Sequence, residues 1–396
     1  MKIPPGLPVV VVLCLSVFVR AQGPDPAPKP SFEPFPPHPR LTYTVLVGTY
    51  TDKTDSKGIY AFSFDTQIGK LAPKGLVAET PNPSWVAVHP NGKWVYAANE
   101  SGKQSAISAF SLDSGSGKLT PLNQLPSQGE DPCYLSFDKT GKYLFVANYT
   151  SGTVAVFPIL RDGKLGAPTS VVKNAGALGP NKDRQEGPHA HWVAASADKP
   201  EVYVADLGLD HVVIYTFDRN LGTIFPRPKQ TDSFGAKLSP GTGPRHAAFS
   251  PDGKFMYVLG ELTSTVTVFA SDSQETWRSI QQISALAPGF SGRNDAAEIA
   301  IHSNGKWLFA SNRGQDSIAV FAIDPQKGTL ALAGDFPAGG KEPRHFALDP
   351  TGQFLLVENQ YSNNIVVFRI DPVTGALAQV SKTENVPSPV CLVFLP

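Results

Sequence analysis

Net charge is what this 396-residue chain lacks most plainly: 34 Lys and Arg offset 34 Asp and Glu, with no basic run or stripe. That excludes the electrostatic footprint of a nucleic-acid binder, which must neutralise a row of phosphates. Cysteine is nearly absent too. Three residues, Cys14, Cys133 and Cys391, are too few for a disulfide scaffold, and none stands in a Cys/His cluster with zinc spacing. Long apolar runs are missing beyond the first 20 residues, and Leu7 to Val19 is shorter than the roughly 20 residues needed to cross a bilayer core. With Lys2 before it and Val19-Arg20-Ala21 after it, this stretch reads as a secretory signal over 1–21, cleaved after Ala21. The mature protein is therefore expected to be secreted and free of the membrane. Residues 22–40 follow as a leader outside the fold, with eight prolines in the 17 residues from Gly23 to Pro39.

What is abundant is punctuation: 35 Gly and 37 Pro, among 10% aromatic and only 17% charged residues, describe many short strands and turns. The strongest signal is self-similarity at a period of about fifty residues, the range of propellers and solenoids. Clear copies start at Pro83, Pro132 and Pro244, two more at Asp295 and Pro343, and a degenerate one at Pro188, where Asp198-Lys199-Pro200 replaces the Asp-Gly-Lys turn. Each copy is an apolar strand, an Asn-Gly or Asp-Gly type of hairpin turn and a second β-branched and aromatic strand. A third alternating strand follows, such as Thr265-Val-Thr-Val-Phe269, and an Asp plus Gly-x-Leu element leads into a fourth. The remnants, Thr42 to about Ala78 and Pro389 to Phe394, supply strands two to four and strand one of a seventh unit. The prediction is an all-β, seven-bladed propeller over 41–396, its last blade closed by the C-terminal strand joining the N-terminal ones, which leaves no open sheet edge. Cys14 leaves with the signal, and Cys133 and Cys391 fall in non-adjacent blades, so both are expected to be free, buried thiols.

Aligning the copies compares positions around the ring. The residue after the starting Pro is Ser84, Cys133, Arg245, Arg344 or Val390, with His191 and Ala297 in the remaining copies; the next is Trp85, Tyr134, Trp192, His246, Glu298, His345 or Cys391. Second strands end in the pairs Thr49-Tyr50, Asn99-Glu100, Asn148-Tyr149, Asp206-Leu207, Gly260-Glu261, Asn312-Arg313 and Asn359-Gln360. The first member hardly varies in type and reads as a turn cap. The second varies freely, as expected of a site grafted on a repeated scaffold. One face should therefore gather His189, His191, Arg245, His246, Glu261, Glu298, Arg313, Arg344 and His345 around the central channel. Singly, each could be a satisfied polar group in a wet channel. As a set, the Arg and His residues suit an anionic ligand. Asn99-Glu-Ser and Asn148-Tyr-Thr are also N-glycosylation sequons, at cap positions that could engage their side chains.

These residues resemble the seven-bladed propeller lactonases, a family that includes bacterial-type 6-phosphogluconolactonase and fungal 3-carboxy-cis,cis-muconate lactonizing enzyme. The resemblance covers residues 43–396 and is carried by Val47-Gly-Thr-Tyr-Thr51, Gly187-Pro-His-Ala-His191 with Asp206-Leu-Gly208, Gly243-Pro-Arg-His246, Glu261 and Arg313. It implies catalytic roles for His191, or His189 beside it, and for Arg245, Glu261 and Arg313, with His189, His246, Glu298, Arg344 and His345 around the substrate. Lactone opening needs a base for water and cations for the oxyanion; Glu261 or His191 can be the base, Arg245 and Arg313 the cations. An export signal does not suit a phosphorylated cytosolic substrate, and no Lys sits at the motif positions. The expectation is a secreted hydrolase of a sugar lactone or carboxylated butenolide, with a muconate-type cyclase as the alternative enzyme and a non-catalytic binding propeller as the alternative class. No cofactor is expected. A calcium site would need converging carboxylates, and the face offers mainly Glu261, Glu298 and Asp206 amid arginines. The implied partner is a small-molecule lactone or carboxylate, and nothing in the sequence specifies an oligomer.

Overall fold

In the computed structural model, Met1 and residues 41–227, 235–272 and 276–396 are described; the rest of the expected export signal and the proline-rich leader lie outside them. Seven antiparallel sheets follow one another as blades. Blade 1 pairs Pro389–Phe394 with Thr42–Thr49, then Gly58–Asp65 and Lys70–Glu79, so the two ends of the domain share one sheet. Inner strands of blades 2 to 7 are Pro83–Val88, Pro132–Phe137, Ala190–Ala195, Pro244–Phe249, Asp295–Ile301 and Pro343–Leu348. Each pairs with a second strand: Trp94–Asn99, Tyr143–Asn148, Glu201–Asp206, Phe255–Gly260, Trp307–Arg313 and Phe354–Asn359. Blade 4 carries a fifth short strand, Ala236–Lys237, on its third.

The turns explain the register. In blade 2 the His89 amide bonds to Trp94 O and the Gly92 amide to His89 O, with Gly92 at φ 68°; Gly141, Gly253, Gly305 and Gly352 repeat that conformation. Such a positive φ is cheap only without a Cβ. Blade 4, lacking the glycine, closes its turn with the Ser196 hydroxyl accepting from the Asp198 and Lys199 amides.

The core is shared out between blades. Seven clusters of buried side chains each join neighbouring sheets: Trp192, Tyr203 and Ile214 with Met256, Val258 and Phe269 join blades 4 and 5, for example, and Phe62 and Phe64 with Phe354 and Ile365 join blades 7 and 1. A single blade cannot bury both faces, so each needs its neighbours. Cys133 and Cys391 are free and buried, as expected.

Candidate active site

The repeat places a β-bulge at the same point of every inner strand. Pro244 pairs with Gly260 and His246 with Leu259, leaving Arg245 unpaired between them. The same slip frees Ser84, Cys133, His191, Arg344 and Val390, and in blade 6 sets Ala297 and Glu298 against Ser311 alone. A bulge adds a residue, bends its strand and re-aims the side chain. In blades 4, 5 and 7 the re-aimed residue is His191, Arg245 or Arg344.

The second-strand ends supply the rest. Glu261 follows Phe255–Gly260 and is 4% exposed, yet three guanidinium groups meet it. Arg184 Nη2 lies 2.5 Å from Oε1, and Arg245 Nε and Arg313 Nη2 lie 3.1 and 3.2 Å from Oε2. Burial alone would push the Glu261 carboxyl up, but Arg313, Arg245 and Arg184 together outweigh it and bring it down to about 2. Burial, with repulsion from Arg313 and Arg344, draws Arg245 down to about 10, so it stays cationic at neutral pH. Arg344 makes no ion pair among the described residues: its Nη2 donates to Tyr50 Oη at 2.9 Å, and Tyr50 donates to Glu100 Oε2 at 2.8 Å. Four guanidiniums thus crowd about Glu261 and Glu100, with Asp295 3.6 Å from Arg184 and Glu342 3.7 Å from Arg313, and Arg344 is the one of the four without an ion pair among the described residues, a cation suited to an anion.

His191 stands apart from this clamp. Its Nδ1 is 3.7 Å from Cys133 Sγ, its ring centroid is 5.1 Å from His246 and 5.4 Å from Tyr149, and its Nε2 has no protein partner among the described residues. Burial, reinforced by Arg245 and His246, holds its pKa well below the ordinary histidine value, so the ring is neutral at pH 7. His189 is differently placed. Its Nδ1 donates to Tyr149 O at 3.0 Å, its ring stacks on Tyr149 at 4.6 Å and its Nε2 is 3.1 Å from Glu186. His189 Nε2 is buried against the Glu186 carboxylate, whereas His191 Nε2 faces no carboxylate among the described residues.

His246, Glu298 and His345, expected around the substrate, are engaged with one another. They form a buried column with Glu358: His246 Nδ1 is 3.0 Å from Glu298, His345 Nε2 is 3.7 Å from Glu298, and His345 Nδ1 is 2.6 Å from Glu358. Trp85 and Tyr134 stack on each other and both edge onto His246, filling the space around it. As glycan acceptors, Asn99 and Asn148 fail on geometry. They are 1% and 0% exposed, and their amides donate to Pro81 O and Ser127 O as caps. Arg184, Tyr50, Glu100, Tyr149 and Glu358 were not singled out as site residues. Tyr50, Glu100 and Tyr149 occupy the same variable position as Glu261, so the repeat carried their signal; Arg184 lies outside the repeat, between blades 3 and 4. Among the described residues no cluster of His, Cys, Asp and Glu is arranged to hold a metal ion.

The family description "Lactonase, 7-bladed beta-propeller" matches residues 44–394. A 6-phosphogluconolactonase of Bacillus subtilis is 37% identical over 354 residues, 89% of this chain and 98% of its own. A 6-phosphogluconolactonase of Formosa agariphila is 36% identical over 76% of this chain and 85% of its own. The solved structure of a periplasmic gluconolactonase from Pseudomonas aeruginosa superposes with a TM-score of 0.82 at 34% identity, covering 90% of this chain and 99% of that one.

Proposed function

The chain belongs to the seven-bladed β-propeller lactonase family and is a lactonase, and we propose that it is an exported sugar-lactone hydrolase with His191 as base and the arginine clamp as electrophile. The observation that carries this reading is a division of labour: one neutral imidazole whose Nε2 has no protein partner among the described residues, and a guanidinium clamp in which Arg344 has no ion pair among them.

A base must be unprotonated at working pH and must have a vacant lone pair within reach of water. His191 meets both conditions through Nε2. Glu261 meets neither well, since a carboxyl held near 2 by three guanidiniums is a feeble base with both oxygens occupied. Its role is to set the clamp: without it, Arg184, Arg245 and Arg313 would repel one another. Water, deprotonated by His191, adds to the lactone carbonyl. Arg245, aided by Arg313 or Arg344, takes the charge that grows on the carbonyl oxygen. Collapse breaks the ring C–O bond, and the proton on His191 passes to the departing alkoxide, giving the hydroxy acid, whose carboxyl then releases its proton to solvent.

Export rests on the signal-like 1–21 segment, and a periplasmic gluconolactonase among the relatives supports a family member working outside the cytosol. An unphosphorylated aldonolactone is the substrate we favour. Arg344 supports a second reading, in which a carboxylate or phosphate on the lactone docks against this cation with no ion-pair partner. Base-corrected hydrolysis of glucono-δ-lactone, its 6-phosphate and a carboxylated butenolide tests both. Preference for the first supports the main reading, preference for an anionic lactone supports the second, and no turnover of any of them contradicts both.

A further inference from the structure

The buried column has a direction that can be worked out from its donors. A guanidinium N–H can only donate, and Arg245 Nη1 lies 3.3 Å from His246 Nε2. That nitrogen must therefore be bare, which puts the ring proton on Nδ1, facing the Glu298 carboxylate at 3.1 and 3.0 Å. Glu298 is itself anchored, its backbone amide donating to Ser311 Oγ and its Oε1 accepting from the Ile299 amide, both at 3.0 Å.

The lower half of the column points the same way. The Leu392 amide donates to His345 Nδ1 at 3.2 Å, so that nitrogen too is an acceptor. Glu358 Oε2, 2.6 Å from it, must then carry a proton to donate. Glu358 is 0% exposed, its Oε1 has no partner, and burial and Glu298 raise its pKa well above the carboxylate range. His345 keeps its proton on Nε2, toward Glu298. Both histidine N–H groups in the column thus face Glu298, its one carboxylate anion.

We propose that Glu298 and His246 are positioning residues for Arg245: Glu298 fixes the Nδ1–H form of His246, and the bare Nε2 holds one Arg245 N–H so that the guanidinium meets the reacting carbonyl in one orientation. Another Arg245 bond, from Nη1 to Ala297 O at 2.5 Å, completes the hold. The orientation matters because a planar fork aimed at a developing oxyanion loses effect when it can swing. Glu358, kept neutral, leaves Glu298 as the sole charge to which both histidines answer.

The role in turnover rests on the lactonase reading above; the tautomer does not, so the two can fail separately. Nitrogen-15 spectra of histidine-labelled full-length protein should show His246 protonated at Nδ1 and bare at Nε2 from pH 6 to 8. The opposite tautomer would overturn the proposal whatever the activity. In kinetics, Glu298→Gln should lower kcat about 10- to 100-fold, the range seen when an outer partner of a working group is lost, with KM within about threefold. In an Arg245→Lys background the same change should cost less than about threefold, because residues that act through one another are non-additive. Equal costs in the two backgrounds would assign Glu298 a merely structural role. Arg245→Lys with full activity would sink the clamp reading while leaving the tautomer result intact.

Discussion

The propeller holds two pairs of buried histidines that burial alone cannot tell apart. His89 and His302 are 6% and 5% exposed; His191 and His246 are 5% and 2%. At the turn end, His89 Nε2 donates to Gly141 O at 2.8 Å and its Nδ1 accepts from the Asn91 amide; His302 does the same with Gly352 O and the Asn304 amide. Each turn histidine staples its blade to the next, both nitrogens spent on backbone. At the start of the inner strands, the bulge turns His191 away from such partners, and His246 is spent on a guanidinium and a carboxylate. A histidine's work is thus read from what its nitrogens touch, and a repeat can make one residue type a rivet at one end of a blade and, in the proposed mechanism, a base at the other.

The largest effect should come from His191→Asn: kcat/KM falls about 10²- to 10⁴-fold, as expected for loss of a general base, while the thermal midpoint stays near wild type. A loss of stability with unchanged turnover would put His191 among the rivets. Next, Glu261→Gln leaves Arg184, Arg245 and Arg313 facing one another and should cost about 3–5 kcal/mol in denaturant unfolding, the penalty for breaking a buried pair. The sign with pH follows from the depressed carboxyl. A group lowered from 4.5 to about 2 stabilises the fold fully above about pH 4.5 and loses that contribution as pH falls toward 2. The gap between wild type and variant should therefore close across that window, and a gap constant with pH would show that Glu261 is not the ionised centre of the clamp.

His302→Ala is the mirror of His191→Asn. It orphans the Gly352 carbonyl and the Asn304 amide and should cost about 1–3 kcal/mol, with turnover per folded molecule unchanged. The smallest effect concerns Asn99 and Asn148. With both amides committed as caps, protein secreted from a eukaryotic host should show the bare mass of the mature chain, and a glycan on either would show that the caps open during export.

Local features were legible in the sequence because each unit repeats its own turn chemistry: Asn91-Gly92 and Asp252-Gly253 mark hairpins wherever they occur, and seven copies imply a closed ring. The variable position after each second strand was legible for the same reason, which is how Glu261 and Arg313 came forward. The bulge was not, since a one-residue slip in pairing leaves no trace in residue type. Without it, His246 looks equivalent to Arg245 and His191, although the register pairs His246 and frees the other two. Arg184 was hidden because it comes from the irregular segment between blades 3 and 4, where no copy offers a comparison. Glu358 was hidden inside the apolar strand Phe354–Asn359, where a lone carboxylate reads as the strand's end until its partner His345 is seen.

The central claim is that His191, not Glu261, takes the proton from water. The most direct test is the pH dependence of kcat/KM for base-corrected lactone hydrolysis by wild type, His191→Asn and Glu261→Gln. The wild-type profile should rise through an apparent pKa below the ordinary histidine value and then stay level, the acid limb should disappear in His191→Asn along with most of the rate, and the limb should persist in Glu261→Gln at reduced rate. An acid limb retained in His191→Asn and abolished in Glu261→Gln would contradict it.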